Sequence, residues 1–254
     1  MSGIDERMSE DEYKSTYIES DYYKDTQFDS LTIDNWLNDD ELKIFKDAGY
    51  SEDSFKVRDT AMAPLAKFHY DQDPEEHLTA NYMIFSNFYD DPKWSHLVDI
   101  IQPKLEKTFG NGIYASHIHL LDSHFPYGLH NDAEQSNMKI APHPAWTLIV
   151  PLDDYDSTTY VFKERSGVKD PVQWATQNNI PRNEDMCVSR EIYERDFAPI
   201  TSEEPFHYLT VDSTFKWKKG SCFAADRYKY HCSDNFFNHS VNSKQAIIMW
   251  TSRK

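Results

Sequence analysis

The second half of the chain is a series of short β-rich runs separated by turns, and this texture limits the fold more than any other feature. Residues 113–121 alternate along a β-rich stretch, and residues 145–152 (AWTLIVPL) form the continuous apolar run that is typical of a buried strand. Further runs of this kind occupy residues 158–162, 208–211, 221–225 and 245–251. Many short strands in succession favour a β-sandwich or a barrel.

Two helices are predicted ahead of these strands. Residues 33–48 carry apolar side chains at helical spacing, with Asp34 or Asn38 as the capping residue. Residues 94–109 repeat the same pattern, although Pro103 lies inside this run, where proline can kink or break a helix. Helices that precede a set of strands are expected to pack on the outside of the β core.

The chain is long enough for one elaborated domain. Residues 1–27 are acidic and poor in apolar side chains, which indicates a loosely ordered N-terminal segment. We predict a single domain over residues 28–254. Within it, residues 28–112 give helical support to a core formed by residues 113–254.

The stretch 163–205 interrupts the series of strands. It is polar, contains several prolines, and carries Trp174, Tyr193 and Phe197 at scattered positions. Its apolar content is too thin for a separate core. We therefore interpret it as an insertion, and predict a mobile lid whose aromatic side chains close over a small ligand.

The charge balance argues against one class of partner. Acidic residues outnumber basic ones 43 to 26, for a net charge of −17, and such a surface repels the phosphate backbone of nucleic acid. The sequence shows neither a secretory leader nor a run of roughly 18 apolar residues, so no membrane segment is expected. The three cysteines, Cys187, Cys222 and Cys232, cannot all pair in disulfides and fit no zinc motif, so we expect a reduced, cytoplasmic location. The sequence does not indicate the oligomeric state.

A His-x-Asp pair at the end of a predicted strand is the first candidate for chemistry. In an extended backbone, residues two apart project from the same face, so His130 and Asp132 can bind one metal ion together. The pair is a weak motif by itself, since about one is expected by chance in a chain of this composition. His69 and Asp71 form a second pair, but they lie in a turn-like acidic stretch, so we favour His130 and Asp132.

Two later residues complete a possible site. A glycine turn and an apolar strand at residues 220–226 precede His231, which supplies the third candidate ligand. His239 is the alternative, but it lies only five residues before Lys244, at the start of the last strand. The ammonium group of Lys244 could reach inward and pair with a carboxylate in a partly dry pocket.

The order His130-x-Asp132, His231 and Lys244 resembles the iron(II)- and 2-oxoglutarate-dependent dioxygenases, in particular the prolyl-hydroxylase-like branch. The resemblance covers roughly residues 113–254 and implies a double-stranded β-helix, that is, a jelly-roll core. It also implies that His130, Asp132 and His231 bind Fe(II), and that Lys244 holds the distal carboxylate of the co-substrate 2-oxoglutarate.

The same resemblance implies a reaction. With O2, such an enzyme hydroxylates a small molecule or a peptide side chain and releases succinate and CO2; desaturation and cyclisation share the scaffold. Tyr127 and Thr147 flank the ligands in sequence and are candidates to line the co-substrate site, whereas Trp146 is expected to pack in the core.

Two alternatives remain open at the level of sequence. One is a catalytically silent jelly-roll that binds a ligand or a protein partner, and the other is a cupin-type metalloenzyme that needs no 2-oxoglutarate. Lys244 separates the cupin from the oxygenase, because a cupin has no need for a buried cation there. His117, His119 and His124 lack a third ligand in the right order, so we interpret them as structural or incidental.

Overall fold

A computed structural model describes residues 29–49, 57–59, 80–85, 88–132, 144–168, 170–198 and 200–253. The N-terminal segment 1–27 and the pair His69 and Asp71 lie outside these residues. In this part of the chain, no helix is long and apolar enough to cross a membrane.

Short strands dominate the described residues. They are β1 (Leu31–Ile33), β2 (Val57–Asp59), β3 (Ala80–Ile84), β4 (Ile113–Ser123), β5 (Pro144–Pro151), β6 (Thr158–Arg165), β7 (Val211–Lys216), β8 (Cys222–Asp226), β9 (Lys229–Ser233) and β10 (Lys244–Arg253). A seven-stranded major sheet has the order β1-β8-β5-β10-β4-β3-β2, and a three-stranded minor sheet has the order β7-β6-β9. Neighbouring strands in both sheets run antiparallel.

The strand order confirms the predicted jelly-roll core. Along the chain, β4, β5, β8 and β10 enter the major sheet, whereas β6, β7 and β9 enter the minor sheet. Between β4 and β5, His130 forms an isolated antiparallel bridge with His231 and so adds a short segment beside β9. Consecutive segments that alternate between two facing sheets in this way form a double-stranded β-helix.

Helices are fewer and lie outside this core. They are α1 (Asp39–Gly49), α2 (Ser95–Phe109), α3 (Pro171–Gln177) and α4 (Arg190–Ile192), together with a π turn (Tyr193–Phe197) and 3-10 turns at Pro92–Trp94, Glu204–His207 and Phe236–His239. Asn38 caps α1 as predicted: its Oδ1 accepts the Glu41 N–H at 2.9 Å, and Glu41 accepts the Asn38 N–H at 2.8 Å. α2 continues through Pro103 without a break.

Three apolar clusters set the order of the layers. The largest packs Phe45 of α1 and Leu97 of α2 against the outer face of the major sheet. A second joins the two sheets and includes Ile149 of β5 and Val161 of β6. The third covers the outer face of the minor sheet. Each fully buried side chain of this kind contributes about 1.5 to 3 kcal/mol through removal of apolar surface from water.

The third cluster corrects the predicted lid. Phe197 is completely buried against β6 and β9, Tyr193 is buried beside it, and Trp174 packs against the same cluster. The stretch 163–205 therefore does not leave these aromatic side chains available to close over a ligand. It packs on the minor sheet because the apolar side chains that β6 and β9 turn outward supply the core that the stretch lacks by itself.

The part of the chain before residue 113, predicted as helical support, also contributes strands, because β1, β2 and β3 extend the major sheet at its two edges. The first helix was expected from residue 33, but Leu31–Ile33 pairs with β8 and the helix begins at Asp39. A run of three residues has no clear periodicity, so its partner in the sheet decides its conformation.

Two strand boundaries near the site also differ from the prediction. The strand expected at residues 208–211 is instead β7, Val211–Lys216, because a 3-10 turn occupies Glu204–His207. β9 was not predicted as a strand, since its sequence, KYHCS, is short and polar. Its pairing with β6 fixes it in the minor sheet.

Gly220, in the turn before β8, lies in close contact with the segment that precedes α1. Its φ is +68°, and a Cβ placed there would lie 2.2 Å from the carbonyl oxygen of Leu37. The Leu37 N–H donates to the Gly220 carbonyl at 2.9 Å. Only glycine allows both this backbone conformation and this close approach.

Candidate metal centre

The two histidines of the predicted triad are directly opposite each other. The His130 N–H donates to the His231 carbonyl at 3.0 Å, and the His231 N–H donates to the His130 carbonyl at 2.8 Å. Paired residues of an antiparallel bridge project their side chains from the same face. The centroids of the two imidazole rings are consequently 4.4 Å apart.

The alternation of side chains along β9 shows that the two histidines lie on the inner face of the minor sheet. Tyr230 and Cys232 belong to the cluster on the outer face of the minor sheet. Because successive side chains of a strand point to opposite faces, His231 and Ser233 point into the space between the two sheets. Leu129 also packs against the outer cluster, so the same alternation turns His130 inward.

Backbone carbonyls orient both imidazoles. His130 Nδ1 lies 2.7 Å from the Gly128 carbonyl oxygen, and His231 Nδ1 lies 3.1 Å from the Lys229 carbonyl oxygen. A carbonyl only accepts hydrogen bonds, so the proton sits on Nδ1 and the lone pair on Nε2. Second-shell hydrogen bonds of this kind prepare a histidine to bind a metal ion through the other nitrogen.

Asp132 is the third member of the cluster and is almost fully buried. Its backbone N–H donates to the Arg227 carbonyl at 3.0 Å, and its Oδ2 accepts a hydrogen bond of 2.6 Å from the Thr147 hydroxyl. Burial opposes ionisation of Asp132, but the nearby imidazoles of His231 and His130, the Thr147 hydroxyl and Arg227 outweigh it and lower the pKa of the carboxyl group.

The three side chains offer the donor set of a facial triad. One ligand atom from each of His130, Asp132 and His231 lies within 4.8 Å of the others, and His231 Nε2 is 3.7 Å from Asp132 Oδ2. Two imidazoles and one carboxylate that leave coordination positions open suit non-haem Fe(II). The donor chemistry therefore fits the predicted metal.

Lys244 is buried in an unusual environment, with an exposed fraction of 2%. Its Nζ donates to the hydroxyls of Ser157 and Ser233 at 2.9 and 2.8 Å, and lies 3.9 Å from the centroid of the Trp217 ring. No carboxylate of the described residues comes within 4 Å of this nitrogen. Burial lowers the pKa of Lys244 to about 7, and the negative charge of Asp234 partly opposes that effect.

Strand β9 connects this lysine to the metal centre. Ser233, which accepts a hydrogen bond from Lys244, is two residues after His231 and points from the same face. Two residues of a strand rise by roughly 6.5 Å. The candidate ligands and the buried ammonium group thus border the same interior space, at a separation that a short dicarboxylate can bridge.

A row of side chains borders the metal centre on the major sheet. Trp250 lies directly opposite Thr147 on β5 and His117 on β4, so all three project from the same interior face. Trp250 is 8% exposed, and its indole Nε1 has no hydrogen-bond partner among the described residues. The His119 ring packs edge-on against it at 4.8 Å, and burial lowers the pKa of His119 to about 4.

The other predicted residues lie as follows. The Tyr127 ring centroid is 5.9 Å from that of His130, and its carbonyl accepts the Ser233 N–H. Thr147 contacts Asp132 rather than Lys244, so its position suits support of a metal ligand. His239, the alternative ligand, lies 3.7 to 3.9 Å from carboxylates of Asp156, Asp196 and Asp234 and is not in the cluster. Trp146 packs in the largest core cluster, as expected.

The sequence did not point to several neighbours of the site. Ser233 could have been found from its spacing of two residues after His231, had β9 been predicted as a strand. Ser157 and Trp217 contact Lys244 although they are 87 and 27 residues away in the sequence, and no sequence pattern indicates those contacts.

No family model matches the sequence, and no curated protein matches it. Among solved structures, the chain is similar to the epimerase SnoN in complex with Fe3+, alpha ketoglutarate and nogalamycin RO (12% identity, TM-score 0.49, 88% of this chain and 78% of that chain covered). It is also similar to EctD from S. alaskensis in its apoform (11%, 0.48, 100% and 80%). A third is HygX from Streptomyces hygroscopicus with nickel and 2-oxoglutarate bound (13%, 0.47, 92% and 85%).

Proposed function

We propose that this protein is an Fe(II)- and 2-oxoglutarate-dependent oxygenase. One observation carries the proposal: an inward-facing set of two histidines and an aspartate shares its interior space with the buried ammonium group of Lys244. Burial of a cation is costly unless an anion pairs with it. The described residues offer no carboxylate within 4 Å of Lys244, so a dicarboxylate that also reaches the metal would complete both sites.

Each residue then has a defined role. His130, Asp132 and His231 would hold Fe(II), and Thr147 would orient the Asp132 carboxylate. Lys244, assisted by Ser157 and Ser233, would bind the distal carboxylate of 2-oxoglutarate through charge-assisted hydrogen bonds. Bound iron and 2-oxoglutarate would supply the activation of O2, with release of succinate and CO2.

The chain itself contributes orientation and shielding. The carbonyls of Gly128 and Lys229 hold the imidazole protons on Nδ1, away from the metal. The apolar cluster between the sheets, with Ile149 and Phe223 on the major sheet, excludes water beside the site. Tyr127 remains a candidate to line the co-substrate site. A cytoplasmic location remains a prediction.

We propose a small molecule or a peptide side chain as the substrate and hydroxylation as the reaction. Trp250 and His117 lie beside the candidate metal ligands, toward the opposite end of β10 from Lys244, which supports a role for them in substrate binding. A screen of succinate release would identify compounds that stimulate turnover. Trp250→Phe should change that stimulation while leaving the affinity for 2-oxoglutarate unaltered; an unchanged response would remove Trp250 from the substrate site.

Anaerobic titration tests the proposed function itself. Fe(II) is added first, then 2-oxoglutarate, and the weak visible charge-transfer band of the ternary complex is followed. We expect a saturable band in the wild type and none in His130→Ala. Lys244→Ala should bind iron normally but lose about 2 to 4 kcal/mol of co-substrate affinity, which is roughly 30- to 1000-fold.

Three other results would contradict the proposal in different ways. Absence of the band in the wild type at saturating ligand would favour a silent binding protein or a metalloenzyme without 2-oxoglutarate. Equal iron affinity in the wild type and His130→Ala would exclude the metal ligands. Identical 2-oxoglutarate curves for the wild type and Lys244→Ala would remove Lys244 from the site.

A further inference from the structure

A chain of hydrogen bonds leads from Lys244 to a second buried charge. Ser157 Oγ lies 2.9 Å from Lys244 Nζ and 2.6 Å from Asp234 Oδ1. Asp234 is 2% exposed, and Ser157 is completely buried. The nearest acid along the hydrogen bonds of Lys244 is therefore separated from it by one hydroxyl group.

The direction of these hydrogen bonds is fixed by their chemistry. A carboxylate only accepts, so Ser157 donates its proton to Asp234 and presents a lone pair to the ammonium group of Lys244. Asp234 Oδ2 accepts the Thr158 N–H at 2.5 Å, which holds both carboxylate oxygens in place. The Ser157 hydroxyl therefore cannot turn away from Lys244 without losing its bond to Asp234.

The negative charge of Asp234 also affects the protonation of Lys244. Removal of Lys244 from water favours its neutral form, whereas the negative charge of Asp234 favours the ammonium form. Only the ammonium form can pair with a carboxylate of the co-substrate. Asp234 is close enough to supply this counter-charge, yet it does not occupy the position beside Nζ that a bound carboxylate would take.

We propose that Asp234 is a positioning residue for co-substrate binding: acting through Ser157, it keeps Lys244 protonated and orients it toward the distal carboxylate of 2-oxoglutarate. This inference rests on the proposed function. It assigns a role to a residue that contacts neither the metal ligands nor the co-substrate.

Other ionisable groups lie around Lys244, Ser157 and Asp234, and they also affect how binding depends on pH. His239 Nε2 lies 3.9 Å from Asp234 Oδ2 and 3.7 Å from Asp196, which Arg195 and Tyr160 also contact. Asp156 faces the other nitrogen of His239 at 3.7 Å. Lys216 donates to the Thr158 hydroxyl, Lys229 pairs with Asp212, and Asp122 and His124 contact each other beside the start of β10. Apart from Asp196, these groups are the same in the wild type and in each variant, and because His239 faces Asp196 as well as Asp234, the variant Asp196→Asn reports any effect that acts through His239.

Asp234→Asn removes the negative charge of Asp234 while keeping a side chain of nearly the same shape. Dissociation constants for 2-oxoglutarate are measured anaerobically at fixed Fe(II), at pH 6 and pH 8, for the wild type and the variant. At pH 6 Lys244 is largely charged in the wild type, and the dissociation constant of the variant should exceed that of the wild type by no more than about twofold, because loss of the repulsion between Asp234 and the bound carboxylate offsets part of the lost protonation. At pH 8 the variant should hold the proton less well, and the ratio of its dissociation constant to that of the wild type should rise about five- to tenfold.

Ser157→Ala tests the connection by a different readout. It leaves the charge of Asp234 and its bond to the Thr158 N–H in place, so the fold is better protected. Loss of the oriented acceptor should weaken binding of 2-oxoglutarate by about three- to tenfold at both pH values. Asp196→Asn is the matched control, since Asp196 is 1% exposed and contacts Tyr160 and Arg195 rather than Ser157. It should leave the affinity for 2-oxoglutarate unchanged.

The outcomes distinguish this inference from the proposed function. If the wild type does not bind 2-oxoglutarate, the proposed function fails and this inference fails with it. If Lys244→Ala loses binding but Asp234→Asn shows the same ratio at pH 6 and pH 8, only the role of Asp234 is overturned. Wild-type affinity in Ser157→Ala at both pH values would overturn the connection through Ser157, even if Asp234→Asn does not fold.

Discussion

Substitution of Lys244 by methionine should change how the stability of the unliganded protein depends on pH. Methionine is unbranched and of similar length, so it can occupy the same buried volume without a charge. In the wild type, burial lowers the pKa of Lys244 from 10.5 to about 7, because the ammonium group is removed from water with only hydroxyls and aromatic rings around it. Folding therefore favours the neutral amine.

The sign and size of the effect follow from proton linkage. Between pH 7 and pH 10.5 the unfolded chain binds a proton at Lys244 that the folded protein has largely released, so the free energy of unfolding rises with pH across this window. At about 1.36 kcal/mol for each unit of difference between the two pKa values, the wild type should gain up to about 5 kcal/mol. Below pH 7 both states carry the proton, and the cost of burial is fully present.

Urea unfolding of both proteins, followed by circular dichroism at several values from pH 6 to pH 10, provides the measurement. The difference in unfolding free energy between Lys244→Met and the wild type should shrink steadily as the pH rises above 7. Contributions of all other titrating groups cancel in this difference, and loss of the two serine hydrogen bonds shifts it by a constant. A difference that does not vary between pH 7 and pH 10 would show that burial does not lower the pKa of Lys244, and would refute this reasoning.

Three further predictions concern the residues that support the site and the fold. Thr147→Val removes the hydroxyl that donates to Asp132 at 2.6 Å and should weaken Fe(II) binding by about 10- to 100-fold. Thr147→Ser keeps a hydroxyl and should bind Fe(II) like the wild type. Equal Fe(II) affinities of Thr147→Val and the wild type in a metal titration would contradict this role. Phe197→Ala should cost about 3 to 5 kcal/mol in urea unfolding, because Phe197 is completely buried against the minor sheet; a loss below about 1 kcal/mol would favour the mobile lid instead. Gly220→Ala should destabilise by on the order of 2 kcal/mol or more, since its φ is +68° and the new Cβ would meet the Leu37 carbonyl at 2.2 Å; wild-type stability would refute that contact.

Local periodicity explains what could be predicted at the level of single strands. Alternation placed His130 and Asp132 on one face before any contact was known, and the apolar run AWTLIVPL became β5 with its ends displaced by one residue. Lys244 was expected at the start of the last strand, and β10 begins there. Such features depend only on neighbouring residues, so the sequence contains them directly.

Pairing between strands that are distant in the sequence determined the features that local periodicity did not predict. β1 and β9 are too short for their own residues to select a conformation, and only β8 and β6 make them strands. The stretch 163–205 looked too polar for a core because β6 and β9 supply part of the core on which it packs.

The environment of Lys244 shows the same division most clearly. The sequence alone identified the lysine as a candidate anchor. Only the tertiary structure brought Ser157, Trp217 and Ser233 around its ammonium group, with Asp234 one hydroxyl away. These contacts join four separate segments, and their existence depends on the register between sheets, which no local pattern specifies.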